Sequence, residues 1–318
     1  DSNLEQTQES CSKKPFYFVT KECNEQIVRE IKYGKQFEIQ DYTQHTNTKS
    51  NTFNLNNKYS LDKYLICCDD YSYSKLGGKP TGYIDVYENN VLFINGSGFL
   101  FYIEEEKLIL DSFKFKNIET NLNQLIKNKL ITEAEHVNFG WESIKDLLIL
   151  DDKIFISYVE EQELNCTNIQ VLMGEVNLEY IEFRKIFEPQ ECISRYSEKY
   201  VPYGAGGKME IFSDDEIILS IGDYLQYEKA QDLDSLFGKL IKLNFVNNQY
   251  EILSYGHRNP QGLYFDRNNQ FLIETEHGPQ GGDEINLINI YKVENFGWPV
   301  SSYGKHYDGK ERNDAPLY

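Results

Sequence analysis

Short runs of β-forming residues, each ended by a turn sequence, are the feature that most limits how this chain can fold. Examples are TGYIDVYENNVLFINGSGFLFYIEEEKLIL (81–110), IKDLLILDDKIFISYVE (144–160) and KMEIFSDDEIILSIGDY (208–224). The runs are separated by Glu-Asn-Asn, Asp-Asp and Ser-Asp-Asp, which tolerate the left-handed backbone that tight hairpins require. Many short strands of this kind predict a sandwich, a barrel or a propeller.

A repeated unit favours the propeller among these all-β architectures. An apolar run, an Asp/Asn turn and a second apolar run recur at about 85–103, 146–158, 209–221 and 262–275. Their spacing, on the order of 50–65 residues, is close to the ~40–50-residue period of propeller blades with insertions. In a propeller, loops distant in sequence converge at one mouth of the central channel, where we expect the functional residues.

Two segments differ from this pattern. Residues 1–28 are polar and lack periodicity, and they predict a tail or linker that precedes a propeller domain at 29–318. In NIETNLNQLIKNKLITEAE (117–135), Leu and Ile recur at three-to-four spacing. This spacing predicts a short helical insertion between blades.

The composition excludes some classes of partner. The formal net charge is −19, and such a field repels the phosphates of nucleic acids and anionic lipid. No stretch approaches the ~18 apolar residues of a membrane span, so we expect neither a nucleic-acid partner nor a spanning helix. Cys166 and Cys192 flank a predicted hairpin, which suits a disulfide in an exported protein. Reduced thiols in a cytosolic protein remain the alternative.

The densest group of polar residues lies in GHRNPQGLYFDRNNQFLIETEHGPQGGDEINLI (256–288). Two polar, glycine-containing loops flank a predicted hairpin in this segment. Antiparallel pairing of its two strands would place His257 and Arg258 close to Glu276 and His277. Such a mixture can orient a polar ligand or a hard cation. Equally, Arg258 could form a buried ion network with the acidic residues of the second loop.

The motifs GHRNPQGL, EHGPQGGDEIN and NFGWP resemble those of the soluble glucose/sorbosone dehydrogenases, quinoproteins that use pyrroloquinoline quinone. GGKMEIFSDDEIILSIGDY, AQDLDSLFGKLIKLN and DLLILDDKIFISY are similar to further stretches of that family. The resemblance covers about 140–318, whereas 29–139 is similar only as generic blades. It implies a six-bladed propeller whose last blades are incomplete in this chain. The implied activity is oxidation of an aldose with hydride transfer to the quinone, and calcium helps to hold that cofactor.

The resemblance also implies roles for individual residues. The implied calcium ligands are Glu276, Asp283 and Glu284. The implied cofactor-binding residues are Lys208, Asp223, Arg258, Asn259, Gln261 and Trp298. Two of these residues have a structural alternative. Trp298 could equally fill the space between blades, and Asp223 could cap a turn, which is the commoner role of such a residue.

This chain departs from the family pattern at the general base. In the family the general base is a histidine four residues before the arginine of the GGR-type motif; here that position is Gly204, and the arginine itself is Lys208. Glycine cannot abstract a proton, which leaves His257 and His277 as the candidate catalytic residues. His136 and His306 are interpreted as ordinary loop histidines.

Two functions remain open from the sequence. The first is a periplasmic or secreted quinoprotein-type sugar dehydrogenase homologue, with a small sugar as substrate. The second is an inactive propeller that binds a carbohydrate or a protein partner, and the glycine at position 204 favours it. A calcium-stabilised structural propeller is a third and weaker alternative.

Overall fold

A computed structural model describes residues 47–54, 60–65, 82–95, 98–108, 112–125, 144–162, 166–194 and 204–305. The tail predicted at 1–28 lies outside these residues, and so do His136 and His306. In the described part strands dominate, and the helical elements are α1 (Glu105–Leu108), α2 (Leu122–Leu125) and a 3-10 helix (Tyr227–Gln231). None of its helices is long and apolar enough to cross a membrane.

The strands are short, as the turn sequences predict. In chain order they are β1 (Asn47–Asn54), β2 (Ser60–Leu65), β3 (Gly82–Tyr87), β4 (Asn90–Asn95), β5 (Leu100–Glu104), β6 (Ser112–Phe113), β7 (Lys116–Thr120), β8 (Ile144–Leu150), β9 (Lys153–Gln162), β10 (Cys166–Glu175), β11 (Tyr180–Ile181), β12 (Arg184–Phe187), β13 (Ile193–Ser194), β14 (Gly206–Ile211), β15 (Glu216–Ile221), β16 (Lys239–Asn244), β17 (Gln249–Tyr255), β18 (Pro260–Asp266), β19 (Phe271–Glu276), β20 (Glu284–Ile288) and β21 (Glu294–Asn295).

These strands form five sheets within the described residues. Their strand orders are β2-β1-β6, β11-β7-β5-β4-β3, β12-β10-β9-β8 with β13 beside β10, β14-β15-β16-β17-β21, and β18-β19-β20. We number the sheets one to five by their position along the chain. Consecutive strands pair antiparallel, whereas the short edge strands β11 and β21 join in parallel. Such successive meanders are the blades of a propeller, which confirms the predicted all-β class.

The first strands of sheets two to five lie side by side. β3 packs on β8, β8 on β14, and β14 on β18. Buried carboxylates join these neighbours: Asp85 accepts the backbone N–H of Ile149 at 2.6 Å, and Asp146 accepts that of Met209 at 2.8 Å. Each bond therefore connects the first strand of one sheet to the first strand of the next.

The same connection recurs at the next interface, where Glu210 of β14 accepts the backbone N–H of Phe265 in β18. Burial is the main cause that raises the pKa of all three carboxyls, and it raises the pKa of Asp146 to about 6. Backbone hydrogen bonds to these carboxyl groups lower their pKa and so oppose the effect of burial. One acidic residue per first strand thus connects successive sheets.

The apolar core lies between the sheets. The largest cluster fills the interface of sheets three and four, where the rings of Phe155 and Phe245 meet at 5.1 Å. A second cluster lies between sheets two and three, and a smaller one lies between sheets four and five. Because these clusters join sheets two to five face to face, they fix the loops at the ends of those sheets.

The predicted helical insertion at 117–135 begins as a strand. Asn117 and Ile118 pair with Phe101 and Leu100 of β5, so tertiary pairing overrides the helical periodicity there. The helix α2 follows at Leu122–Leu125, and residues 126–135 lie outside the described part. Elsewhere in the chain, Cys192 is disulfide-bonded. Its predicted pairing with Cys166 stays a prediction.

Candidate functional site

The β18–β19 hairpin brings its two flanking loops together. Pro260 lies opposite Glu276 in the strand register. The Glu276 carboxylate accepts the backbone N–H of Arg258 at 2.5 Å and that of Asn259 at 3.3 Å. His277 donates its backbone N–H to the Asn259 carbonyl at 3.1 Å. The two polar loops of the sequence therefore form one site.

The Arg258 guanidinium holds the second loop through backbone carbonyls. Its Nη1 donates to the carbonyl oxygens of His277 at 2.8 Å and Gly278 at 2.9 Å. The guanidinium carbon also lies 5.4 Å from the centre of the Trp298 ring, within the range of a cation–π contact. These bonds orient the planar guanidinium against the indole face.

Asp223 fixes the other side of Trp298. The indole Nε1 donates to Asp223 Oδ2 at 2.7 Å, and the Leu225 N–H donates to Oδ1 at 2.8 Å. Burial is the main cause that raises the pKa of Asp223 to about 7, and these two hydrogen bonds oppose it. Asp223 therefore caps a turn, as the structural alternative predicted, and also positions the indole that lies beneath Arg258.

Asn259 connects the hairpin to the fourth sheet. Its Oδ1 accepts the Gly206 N–H at 3.1 Å and the side-chain amide of Gln261 at 2.8 Å. Asn259 is buried, whereas Gln261 is exposed and faces solvent. Of these two predicted cofactor-binding residues, Asn259 is held by hydrogen bonds within the protein, whereas Gln261 remains accessible to solvent.

Lys208 is the accessible cation near the start of the fourth sheet. Its Nζ lies 2.8 Å from Asp146 Oδ1, and 36% of its side chain is exposed. The Lys208 charge is the largest of the effects that lower the pKa of Asp146 against the dominant effect of burial. The Lys208 ammonium group is therefore held by Asp146 on one side and accessible to solvent on the other.

The position of the missing general base is tightly packed. Gly204 accepts the Tyr224 N–H through its carbonyl at 3.1 Å. A Cβ atom at Gly204 would lie 3.3 Å from Tyr224 Cα and 3.4 Å from Asp223 Oδ1. A side chain at this position would therefore require Asp223 and Tyr224 to move, and the glycine supplies no imidazole.

The two histidines of the described residues differ in accessibility. His257 is fully buried, with Nε2 at 2.7 Å from Ser254 Oγ and Nδ1 at 3.2 Å from Glu276 Oε1. Its ring stacks on Phe296 at 4.9 Å, so it faces the interior rather than a substrate. The side chain of His277 is 58% exposed and lies 3.9 Å from Asp283, which makes it the accessible candidate of the pair.

The predicted calcium ligands do not all lie together. Glu276 and Glu284 are cross-strand partners, and burial, followed by the Glu276 charge, raises the pKa of Glu284. Asp283 lies in the exposed loop instead, with 73% of its side chain accessible, and its Oδ1 accepts the Gly278 N–H at 3.0 Å.

Sequence analysis did not single out Glu274, which is buried next to Glu276. Burial, followed by the Glu276 charge, raises the pKa of Glu274 to about 9. The signal was available, because Leu272, Glu274 and Glu276 share one face of a strand with period two.

The chain is similar to known proteins in both sequence and fold. The sequence profile of the Glucose / Sorbosone dehydrogenase family matches residues 150–316. Aldose sugar dehydrogenase YliI of Escherichia coli (strain K12) is 31% identical over 191 residues, which are 54% of this chain and 49% of that protein. Quinoprotein glucose dehydrogenase B of Acinetobacter calcoaceticus is 34% identical over 128 residues, which are 30% and 26% of the two chains. The chain thus spans about half or less of the length of these relatives.

The solved structures agree on the fold. The apo-form of the soluble aldose sugar dehydrogenase from Escherichia coli has a TM-score of 0.56 and 24% identity, covering 76% of this chain and 68% of its own. The PQQ-bound aldose sugar dehydrogenase from Streptomyces coelicolor has a TM-score of 0.50 and 16% identity, covering 73% and 72%. These likenesses confirm the predicted propeller fold.

Proposed function

This chain belongs to the glucose/sorbosone dehydrogenase family, and on that premise we propose that it is a quinoprotein-type sugar dehydrogenase homologue. The proposed reaction oxidises a hydroxyl-bearing carbon of an aldose and transfers the hydride to pyrroloquinoline quinone. The observation that carries this proposal is the hairpin contact between Arg258 and Glu276, which joins the two family motifs into one site. The proposed location is periplasmic or secreted, and the disulfide at Cys192 supports it.

The residues around the hairpin fit an anionic, planar cofactor. Pyrroloquinoline quinone carries carboxylates, for which Lys208 and Arg258 supply positive charge. Gln261 presents a hydrogen-bonding amide to solvent, and the Arg258–Trp298 pair provides a rigid wall. When bound, the quinone supplies the hydride acceptor. The protein's own residues orient it and hold its negative charge.

Calcium is proposed for the second loop of the same site. Calcium prefers carboxylate and carbonyl oxygens, and this loop offers both. Glu284 and the exposed Asp283 are the more available ligands for this loop, because Glu276 is buried and faces His257. Calcium binding here would require the loop to turn Asp283 toward Glu284.

The second candidate function is binding without turnover, and Gly204 specifically favours it. No imidazole stands at the family's base position, and a Cβ there would crowd Asp223. His277 is the exposed imidazole of the described residues that could replace the base. A protein that binds the quinone or a sugar without oxidising it would have this arrangement.

The test adds pyrroloquinoline quinone and calcium to the protein and follows dye reduction with a panel of aldoses. We expect quinone binding, measured by fluorescence titration, to weaken about 10-fold in Lys208→Met, since one charge-assisted contact is worth about 1.5 kcal/mol. Lys292→Met, an exposed lysine paired with Glu294, is the matched control and should bind as the parent does.

The outcomes separate the two functions. Dye reduction that His277→Ala abolishes supports the dehydrogenase, whereas quinone binding without dye reduction supports the binding protein. If the quinone does not bind, the dehydrogenase proposal is wrong; if no aldose of the panel binds either, the binding proposal is wrong as well.

A further inference from the structure

A buried polar cluster lies behind the hairpin, on the face of β19 that points into the molecule. It consists of His257, Glu274 and Glu276. His257 Nδ1 lies 3.2 Å from Glu276 Oε1 and 3.9 Å from Glu274 Oε2. One candidate ligand atom from each of the three residues lies within 4.8 Å of the others.

The hydrogen bonds of this cluster are incomplete. Glu274 is 0% exposed, and its Oε1 is a buried atom without a hydrogen-bond partner. Its other oxygen, Oε2, shares the Asn286 side-chain amide with Glu276, at 3.0 and 3.2 Å. A buried polar atom without a partner destabilises the fold, and a pair of buried carboxyl groups does so more unless positive charge accompanies them.

We propose that His257, Glu274 and Glu276 form a buried binding site for a divalent transition-metal ion, Zn²⁺ or Mn²⁺. One imidazole nitrogen and two carboxylate oxygens are a ligand set that suits these ions. Bonds of about 2.0–2.1 Å in tetrahedral geometry place ligand atoms about 3.3 Å apart. The 3.2 and 3.9 Å separations are close to that value, so small side-chain movements complete the site.

The surroundings of His257 support metal ligation. Ser254 Oγ holds the other ring nitrogen, Nε2, at 2.7 Å, which fixes the imidazole with Nδ1 toward the carboxylates. Metal-bound histidines are commonly oriented by such a second hydrogen bond. Phe296 packs on the ring and excludes water from one side.

This site is distinct from the proposed calcium site. Calcium takes six to eight oxygen ligands in general, whereas this cluster offers a nitrogen and few oxygens. The bound ion would connect the loop before β18 to the end of β19, and so fix the backbone that presents Arg258. The proposed metal site does not depend on sugar oxidation. Its residues contribute to packing and to the balance of buried charge even in a protein that does not turn over a sugar.

The experiment uses the whole chain after treatment with a chelator. Titration calorimetry with ZnCl₂ and with MnCl₂ should show one ion per chain, and binding should raise the melting temperature. Glu274→Gln and His257→Gln should each weaken the affinity at least 10-fold. Glu251→Gln, an exposed glutamate on β17, is the matched control and should leave it unchanged.

A spectroscopic measurement tests the nitrogen ligand directly. The visible absorption of Co²⁺ bound to the parent protein should be lost or shifted in His257→Gln. Because Glu274→Gln is nearly isosteric, it tests the site even where the histidine variant does not fold. Absence of Zn²⁺ and Mn²⁺ binding overturns the proposal, and so does an affinity that Glu274→Gln leaves unchanged.

Discussion

The fourth and fifth sheets use their buried positions differently. In the fourth sheet, β15 buries a run of apolar residues on both faces, including Ile217, Ile218 and Leu219. In the fifth sheet, β19 buries Leu272 and then two glutamates on the same face. These buried apolar residues stabilise the fold. Carboxyl groups at such positions reduce stability unless they are protonated or paired, so the two sheets differ in what their burial contributes.

The outer faces of the two sheets differ as well. The fifth sheet exposes Ile285 and Leu287 of β20, at 79% and 66%, and Tyr264 of β18. The fourth sheet has packed neighbours on both sides. The fifth sheet is therefore held in position mainly by its contact with the fourth sheet. Four predictions test this difference between the two sheets.

The largest expected effect is a pH dependence that arises at Asp223, in the loop that follows β15 of the fourth sheet and bonds to the loop before β18. The pKa of Asp223 is raised to about 7, so the folded state retains a proton that the unfolded chain releases near pH 4. The contribution of Asp223 to the free energy of unfolding should therefore fall as pH rises from 4 to 8, by on the order of 4 kcal/mol at about 1.4 kcal/mol per pKa unit, and Glu274, whose pKa is also raised, adds to the slope.

Denaturant unfolding at several pH values, with a chelator present, measures this fall. Asp223→Asn should flatten the pH profile, whereas Asn at the exposed Asp214 should leave it unchanged. An identical slope in the parent protein and in Asp223→Asn would contradict the assignment.

The second prediction compares two buried leucines. Leu219→Ala should lower the free energy of unfolding by about 3 kcal/mol, because it leaves a cavity in the largest core cluster. Leu272→Ala should cost less, about 2 kcal/mol, because its small cluster in the open-faced fifth sheet can relax. Urea unfolding of both variants measures the difference, and equal costs would show that the fifth sheet is as tightly packed as the fourth.

The third prediction compares the two buried glutamates in chelator at pH 7. Glu276→Gln should cost about 2 kcal/mol, because Oε2 accepts two backbone N–H groups while Oε1 accepts the Asn286 amide, so the glutamine nitrogen would place a donor against a donor. Glu274→Gln should leave stability unchanged or raise it, since it removes a poorly compensated buried carboxyl. Thermal unfolding ranks the two variants, and the reverse order would refute the charge argument.

The smallest expected effect is on the outer face of the fifth sheet. Leu287→Thr should change the free energy of unfolding by less than about 0.5 kcal/mol, because the leucine is exposed and threonine suits a strand. A loss of 2 kcal/mol or more in urea unfolding would mean that this face is covered in solution.

The hairpin site shows where sequence reasoning succeeded and where it stopped. Strand alternation and turn residues were enough to place Arg258 beside Glu276, because a two-stranded antiparallel ribbon has local geometry. The same reasoning could not distinguish buried His257 from exposed His277, since accessibility depends on what the fourth sheet places against each ring. The same reasoning also grouped Asp283 with Glu284 as calcium ligands. These two residues are adjacent where a strand begins, and their side chains have different surroundings.

The bonds between sheets lay beyond the sequence altogether. Asp85, Asp146 and Glu210 look like ordinary strand residues, yet each accepts an N–H from the next sheet. Their partners lie about 55–65 residues further along the chain, and no local pattern connects them.

The sequence by itself determined the all-β class, the hairpins and the family, because turn chemistry and strand periodicity act over a few residues and the motifs are contiguous. Only the tertiary structure decided which polar groups are buried, which of their pKa values are raised, and that Gly204 lies against Asp223. Burial and pKa depend on the packing of several distant strands, so these properties exist only once the sheets have assembled.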